Sequence, residues 1–386
     1  MNAAINGFSL TIKYNVIQVV PRRTVRPDGI GDYSTLLAQS LLERTGGNSE
    51  FIVGTPSSVE PPRKDSWKTT PVVHRTGRGL SDQLSALCQS QNITAVVLHV
   101  SGYGYQNRGV PIWLLEGMRT WHETRGSCRL YGIFHELFAT GQPWNSSFWL
   151  SGAQKYVTRG LWDLCDGGLA TTSRYFDQLL GWRPDMRHRL HTMPVFSNVG
   201  EPKIVPPVED RAANMAVFGQ PGTEQRVYLG SQYELTASIA EKLGVPEIMD
   251  IGARHVRPPD RLGNAPITSL GELSPNSVSR YLLTCRFGLA NYDIARLEKS
   301  GVFAAYAAHG VIPICVGSEA KPPRGLQEGR HFLRWPMREH PDFRAMQANL
   351  IQWYNSHSTA KHANLVASWC LANDEIGRVQ TESVPA

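Results

Sequence analysis

Short runs of β-branched and aliphatic residues alternate along this chain with stretches in which apolar positions recur every three or four residues. The first half predicts strands at Val16–Val20, Phe51–Val53, Ala95–Val100, Leu130–Phe134 and Gly168–Thr171, with a short one at Val72-Val73. Helices are predicted between them over Tyr33–Leu42, Ser81–Gln89 with Ser81 as N-cap, Pro111–Thr124, residues 146–164, and Ser173–Leu180. Residues 191–208 hold Pro194, Pro202, Pro206 and Pro207 and little periodicity, which reads as a linker. The alternation then restarts, with strands at Met215–Phe218, Glu247–Ile251, Ile267–Leu270, Phe287–Ala290 and Val311–Val316. Helices are predicted over 226–243, from Ser274-Pro275 to about Cys285, over Lys299–His309, and from about Asp342 to Cys370. Strand–helix alternation in both halves predicts an α/β chain of two parallel-sheet domains, 1–200 and 201–365, with ligands beyond the carboxyl ends of the strands. Two such domains on a linker are expected to face each other across a cleft.

Composition narrows the class. The chain has 386 residues, 41% hydrophobic and 19% charged, which excludes a disordered or low-complexity polymer. Its net charge of +6 is unevenly placed. Residues 1–200 carry 20 Lys and Arg against 14 Asp and Glu, whereas 201–386 carry 19 of each. That bias suits an anionic partner or a lipid surface, and is too weak for a nucleic-acid-binding domain. Six cysteines without a C-x-x-C pair argue against a zinc or redox motif and fit a reducing cytoplasm. Met1–Tyr14 lacks the pattern of a signal peptide, and no apolar run is long enough to span a bilayer.

Two segments carry candidate chemistry. Asp28-Gly29-Ile30-Gly31-Asp32-Tyr33 follows the first strand and opens a helix, where glycines let backbone N–H groups approach a ligand closely. Ser34 stands where a dinucleotide fingerprint needs a third glycine, which weakens a dehydrogenase reading. Lys299-Ser300-Gly301-Val302 opens a later helix, and a cation, a hydroxyl and a glycine there form a phosphate cradle. The bland alternatives are a tight strand-to-helix turn and a serine-capped surface helix.

Together these segments resemble the GT-B glycosyltransferases, in particular the retaining bacterial, family 4-like group. The resemblance rests on Gly29-Ile30-Gly31-Asp32-Tyr33, on His135-Glu136 after a strand, and on Val217-Phe218-Gly219. It continues through Leu270-Gly271-Glu272-Leu273-Ser274 and through Lys299–Ile314, with Ala307-Ala308-His309-Gly310 and Pro313 in order. It implies a Rossmann-like acceptor domain, a donor domain, and a terminal helix, about 366–386, packed back on the first. It departs at Ala305, near the family's ribose-binding carboxylate, and at Gln220, where a basic residue is usual; Glu298 lies one residue off another acidic position.

The implied activity is hexosyl transfer from a UDP- or GDP-linked sugar to a glycan or lipid-linked acceptor, in bacterial polysaccharide or glycoconjugate synthesis. No D-x-D pair occurs, so no metal is expected, and the only cofactor-like partner is the nucleotide sugar. His135 and Glu136 are the catalytic candidates: an imidazole can hydrogen-bond a sugar hydroxyl or shuttle a proton near neutral pH. Gly219, Gln220, Arg226, Arg254, Leu273, Lys299, Ser300, Gly301 and Val302 are assigned to the donor. Gly29, Gly31, Asp32, Tyr33, His99 and Tyr103 are assigned to the acceptor, with Tyr105 beside them. Arg22-Arg23-Thr24-Val25-Arg26 is placed to meet an anionic acceptor such as a lipid-linked diphosphate. Trp144, Phe148, Trp149, Lys155, Tyr156, Arg159 and Trp162 suit an interface helix, with core packing the favoured alternative. The expected location is the cytoplasm, with peripheral contact at the inner face of the membrane. A catalytically inactive nucleotide- or carbohydrate-binding relative and a sugar-nucleotide epimerase are the competing readings.

Overall fold

The computed structural model describes residues 14–25, 28–54, 65–90, 93–140, 144, 146–316, 320–337 and 341–381. Arg26 of the basic cluster lies outside them. The chain divides into two compact units. The first comprises Met1–Thr171, Tyr175–Thr192 and Thr359–Ala386, and the second Thr172–Arg174 and Met193–Ser358.

The first unit is built on a seven-stranded, wholly parallel sheet. In chain order its elements are β1 (Asn15–Val20), α1 (Gly29–Thr45), β2 (Asn48–Val53), β3 (Thr69–Pro71), α2 (Gly77–Ser90), β4 (Ile93–Val100), α3 (Gly102–Tyr105), α4 (Ile112–Thr124), β5 (Arg129–Phe134), α5 (Ser146–Leu164), β6 (Gly167–Ala170), α6 (Ser173–Trp182) and β7 (Leu190–Thr192). The strands lie in the order β3-β2-β1-β4-β5-β6-β7, so the direction of winding reverses between β1 and β4. Central strands buried on both faces explain their near-continuous apolar runs. One face packs on α2, α4 and α5 through Leu80, Leu84, Leu114, Met118, Trp121, Val157, Leu161 and Trp162.

The second unit follows the same plan: β8 (Ala212–Phe218), α7 (Thr223–Val227), α8 (Ser231–Lys242), β9 (Ile248–Ile251), β10 (Arg261–Leu262), β11 (Ala265–Gly271), α9 (Pro275–Thr284), β12 (Cys285–Ala290), α10 (Gly301–His309), β13 (Ile312–Cys315), β14 (Leu333–Arg334) and α11 (Phe343–Asn355). Its strand order is β10-β11-β9-β8-β12-β13-β14, parallel except for the β10–β11 pair, and winding reverses between β8 and β12. The final helix, α12 (Thr359–Thr381), belongs to the first unit, where Trp369 stacks on Tyr131 with ring centroids 4.6 Å apart.

Several local expectations are corrected. The Gly29–Tyr33 segment is no loop but the first turn of α1, capped by Asp28, whose carboxylate accepts from the Gly31 amide at 2.9 Å. Helix α2 begins before Ser81, with Thr76 Oγ1 accepting from the Gly79 amide. The single helix expected over 226–243 is broken at Gly230, whose φ of 57° no helix tolerates. The short strand sits at Thr69–Pro71 rather than Val72-Val73. Helix α10 starts at Gly301, after a 3-10 turn over Ile294–Lys299, so Lys299 precedes the helix instead of opening it.

Candidate functional site

In the first unit the candidates converge at the carboxyl ends of β4 and β5, beside the reversal of strand order. His99, on β4, and His135, just past β5, are both buried. Their rings are nearly coplanar (9°), with His99 Nδ1 3.1 Å from His135 Nε2. His99 Nε2 lies 3.0 Å from Gln18 Oε1 on β1, and Gln18 Nε2 donates to Ser49 Oγ on β2 at 3.2 Å. Tyr33, from the first turn of α1, sets its ring edge-on to His135 with centroids 4.8 Å apart. Its hydroxyl meets His362 Nδ1 of α12 at 2.5 Å. Burial alone lowers the His99 pKa to about 3, so this imidazole is neutral at physiological pH. The same cause pushes the Tyr33 phenol up, so it remains protonated.

Glu136 accepts from Ser101 Oγ at 2.8 Å. Its amide and that of His135 both donate to the Val100 carbonyl, which pins the two residues where β5 leaves the sheet. Asp32 folds back to accept from the Asp28 amide at 3.1 Å, completing a reciprocal cap on α1. Gly31 is required there, because a Cβ would lie 2.9 Å from the Arg22 carbonyl; Gly29 is exposed, with open space around it.

Other first-unit assignments separate from this cluster. Tyr103 is exposed and accepts from Gln154 Nε2 at 3.0 Å. Tyr105 is a core residue instead of a site residue, its hydroxyl donating to the Val19 carbonyl and its ring filling the space beside Gly54. Arg23 is also turned inward: it pairs with Asp65 at 2.5 Å and lies 3.7 Å over the Phe51 ring, so it presents no charge to an acceptor. The aromatic segment splits. Trp162 is core, but Trp144 and Trp149 are 80% and 76% exposed, with Phe148, Lys155, Tyr156 and Arg159 also exposed. The core-packing expectation fails on α5 because 148, 149, 152, 155, 156 and 159 share the face of the helix opposite Val157 and Leu161, and Trp144 precedes the helix.

In the second unit the largest departure is Arg254. Its guanidinium is buried and contacts Asp250 Oδ1 at 3.0 Å through Nη2. It also donates to the carbonyls of Gly219 (2.9 Å), Ala253 (2.9 Å), Ile251 (3.0 Å) and Val217 (3.3 Å). All five N–H bonds of an arginine are therefore engaged by the ends of β8 and β9. Arg254 is a clamp on the sheet and cannot also serve a diphosphate. Tyr228 adds a hydrogen bond to Asp250 Oδ1 at 2.8 Å. Tyr306, which fills the space over Gly288, contacts the Phe218 amide and the Ala216 and Leu289 carbonyls, bridging β8 and β12 at the reversal.

Gly219 lies at this clamp, Gln220 and Arg226 are exposed, and Leu273 is half-buried on the turn after β11. Ser300 is the N-cap of α10, its hydroxyl accepting from the Phe303 amide at 3.2 Å. Gly301 and Val302 are half-buried at the head of the helix, whose first amides lie outside the intrahelical ladder. Asn198 approaches Gly301 here; it is a polar neighbour that no short motif announces. Glu298 is buried and accepts from the amide and hydroxyl of Ser173 at 3.0 and 3.1 Å. Among the described residues no group of three or more His, Cys, Asp or Glu could hold a metal ion, and no helix is long and apolar enough to cross a membrane.

The fold recurs in solved structures. The chain superposes on the apo form of the lipopolysaccharide outer core galactosyltransferase WaaB with a TM-score of 0.55 and 11% identity, covering 94% of this chain and 99% of that one. It superposes on the N-terminal domain of Candida albicans trehalose-6-phosphate phosphatase with a TM-score of 0.54 and 8% identity, covering 93% and 97%. No protein-family model matches the sequence. No curated protein matches it. The likeness bears out the expected fold class, the α/β GT-B architecture of two Rossmann-like parallel-sheet domains.

Proposed function

We propose that this protein is a glycosyltransferase that moves a sugar from a UDP- or GDP-linked donor to a hydroxyl of a glycan or lipid-linked acceptor, without a metal. The observation that carries the reading is His135. It stands just past β5, one strand from the reversal of the first sheet and at the end of a buried polar row, and an imidazole there can accept the proton of an attacking hydroxyl. In the second unit the head of α10 supplies amides suited to a departing diphosphate, with Lys299 as the adjacent cation. Arg254 is committed elsewhere; the other cations of the sequence assignment are Lys299 and the exposed Arg226.

The same reading places the enzyme at a membrane surface. Trp149, Phe148 and Tyr156 on the exposed face of α5, with Lys155 and Arg159 among them, suit the interface of an anionic bilayer. Replacing Lys155 should lower co-sedimentation with vesicles containing anionic lipid and leave binding to neutral vesicles unchanged, whereas replacing Trp149 should lower binding to both.

A panel of UDP- and GDP-sugars, scored for thermal shift and then for nucleotide release, tests the activity. Lys299→Ala should weaken the shift, and His135→Ala should lower turnover by roughly 100-fold or more while the shift persists. One observation favours the second reading, a binding protein without transferase activity: α10 carries no carboxylate for a ribose, and Glu298 is engaged by Ser173. A nucleotide that stabilises the protein without transfer or hydrolysis would decide for it.

A further inference from the structure

Strands β2, β1, β4 and β5 lie side by side, and each supplies one member of a continuous hydrogen-bonded row: Ser49, Gln18, His99 and His135. The register makes the row a staircase. Gln18 pairs with Phe51 and Val97, and His99 pairs with Ile133, so each member lies two residues further along than its neighbour and on the same face of the sheet. The row therefore rises from within the sheet and emerges at the carboxyl end of β5.

The row has a direction. Gln18 Nε2 donates to Ser49 Oγ, which leaves Gln18 Oε1 to accept, so His99 donates through Nε2–H. A neutral imidazole carries one N–H, so His99 Nδ1 is an acceptor and takes the Nε2–H of His135. We propose that Ser49, Gln18 and His99 are positioning residues that hold His135 as its Nε2–H tautomer, making Nδ1 the nitrogen that receives a proton. The groups facing His135 from neighbouring elements are the Tyr33 ring on α1, His99 on β4 and, beyond Tyr33, His362 on α12; Glu136 is adjacent in sequence. The catalytic side of the inference rests on the reading of His135 given above, whereas the tautomer is a property of the protein alone.

Nitrogen-15 NMR of the full chain with labelled histidines reads the tautomer directly, with His135→Ala identifying the resonance. His135 should show a protonated Nε2 and an unprotonated Nδ1. Gln18→Glu, whose carboxylate can only accept from His99, should keep that pattern. Gln18→Leu should give a mixture of tautomers and lower kcat by about tenfold with KM little changed. A wild-type His135 protonated at Nδ1, a Gln18→Glu chain that switches to it, or a Gln18→Leu chain with the tautomer unchanged would each overturn the proposal. If Gln18→Leu does not fold, the wild-type and Gln18→Glu spectra decide. Full turnover in His135→Ala would remove the catalytic reading and leave the tautomer question answered by the spectra.

Discussion

Both sheets end in a buried polar cluster beside the strand where winding reverses, and the two clusters are made of opposite materials. In the first unit the members are neutral: Ser49, Gln18, His99, His135 and Tyr33. In the second they are ionic: Arg254 pairs with Asp250, Tyr228 donates to the Asp250 carboxylate, and Arg254 donates to the strand-end carbonyls. A neutral row of hydrogen bonds leaves no isolated charge buried, and with its direction set by the Gln18 amide it can hold one histidine tautomer at its far end. An ion pair in the same setting resists change, since separating it strands a charge in low dielectric. On the function proposed above, the same place in two like folds serves chemistry in one unit and rigidity in the other. The second unit's candidate chemistry moves instead to the head of α10.

The sharpest way to break this contrast is Arg254→Ala. Removing the guanidinium leaves Asp250 buried without its counter-charge and takes one donor from each of four carbonyls. The expected loss is about 3–5 kcal/mol, read as a lowered urea midpoint of the full chain. Had Arg254 been a ligand-binding cation, the midpoint would be unchanged and nucleotide affinity would fall instead; that outcome would return it to the donor site.

Acid separates the two clusters further. His99 holds its pKa near 3 by burial, below the ordinary value of 6.5, so the unfolded chain binds the proton that the folded chain excludes. Stability from His99 is therefore present above pH 6.5 and is lost as pH falls from there toward 3, by about 1.4 kcal/mol per unit. The urea midpoint measured from pH 7 to 5 should fall less steeply in His99→Asn than in the wild type, by one proton's worth of slope. An equal slope in both chains would show that His99 already titrates in the folded state.

The fold was legible because its signals are local. Buried parallel strands read as apolar runs, and His135, His99, Tyr33 and Ser300 stood out at strand and helix ends. What escaped was long-range or directional. His362 meets Tyr33 across 329 residues, and nothing in its own helix announces that contact. Gln18, the single polar residue inside Val16-Ile17-Gln18-Val19-Val20, is a local signal of the buried row. For Arg254 and Arg23 the sequence shows that a cation exists and not which way it points; both are buried on carboxylates. The exposed Trp149 of α5 departs for the converse reason, since periodicity defines a face and leaves open which face the core takes.

The smallest effect compares the two glycine-bearing helix starts. At Gly31, an added Cβ would lie 2.9 Å from the Arg22 carbonyl and 2.8 Å from Asp28 Oδ2, and the first of these is backbone that cannot step aside. Gly31→Ala should cost about 1–3 kcal/mol, as overpacking of a tight site does. At Gly301 the nearest atom to an added Cβ is Asn198 Oδ1 at 3.8 Å, an ordinary contact. Gly301→Ala should leave stability at or slightly above the wild type, because alanine restricts the unfolded chain and suits a helix. The first glycine is thus fixed by its own neighbours, and the second is not. A thermal melt showing equal losses at both positions would erase the distinction. A stable Gly301→Ala chain with weakened nucleotide binding would instead locate the reason for that glycine in what the head of α10 receives.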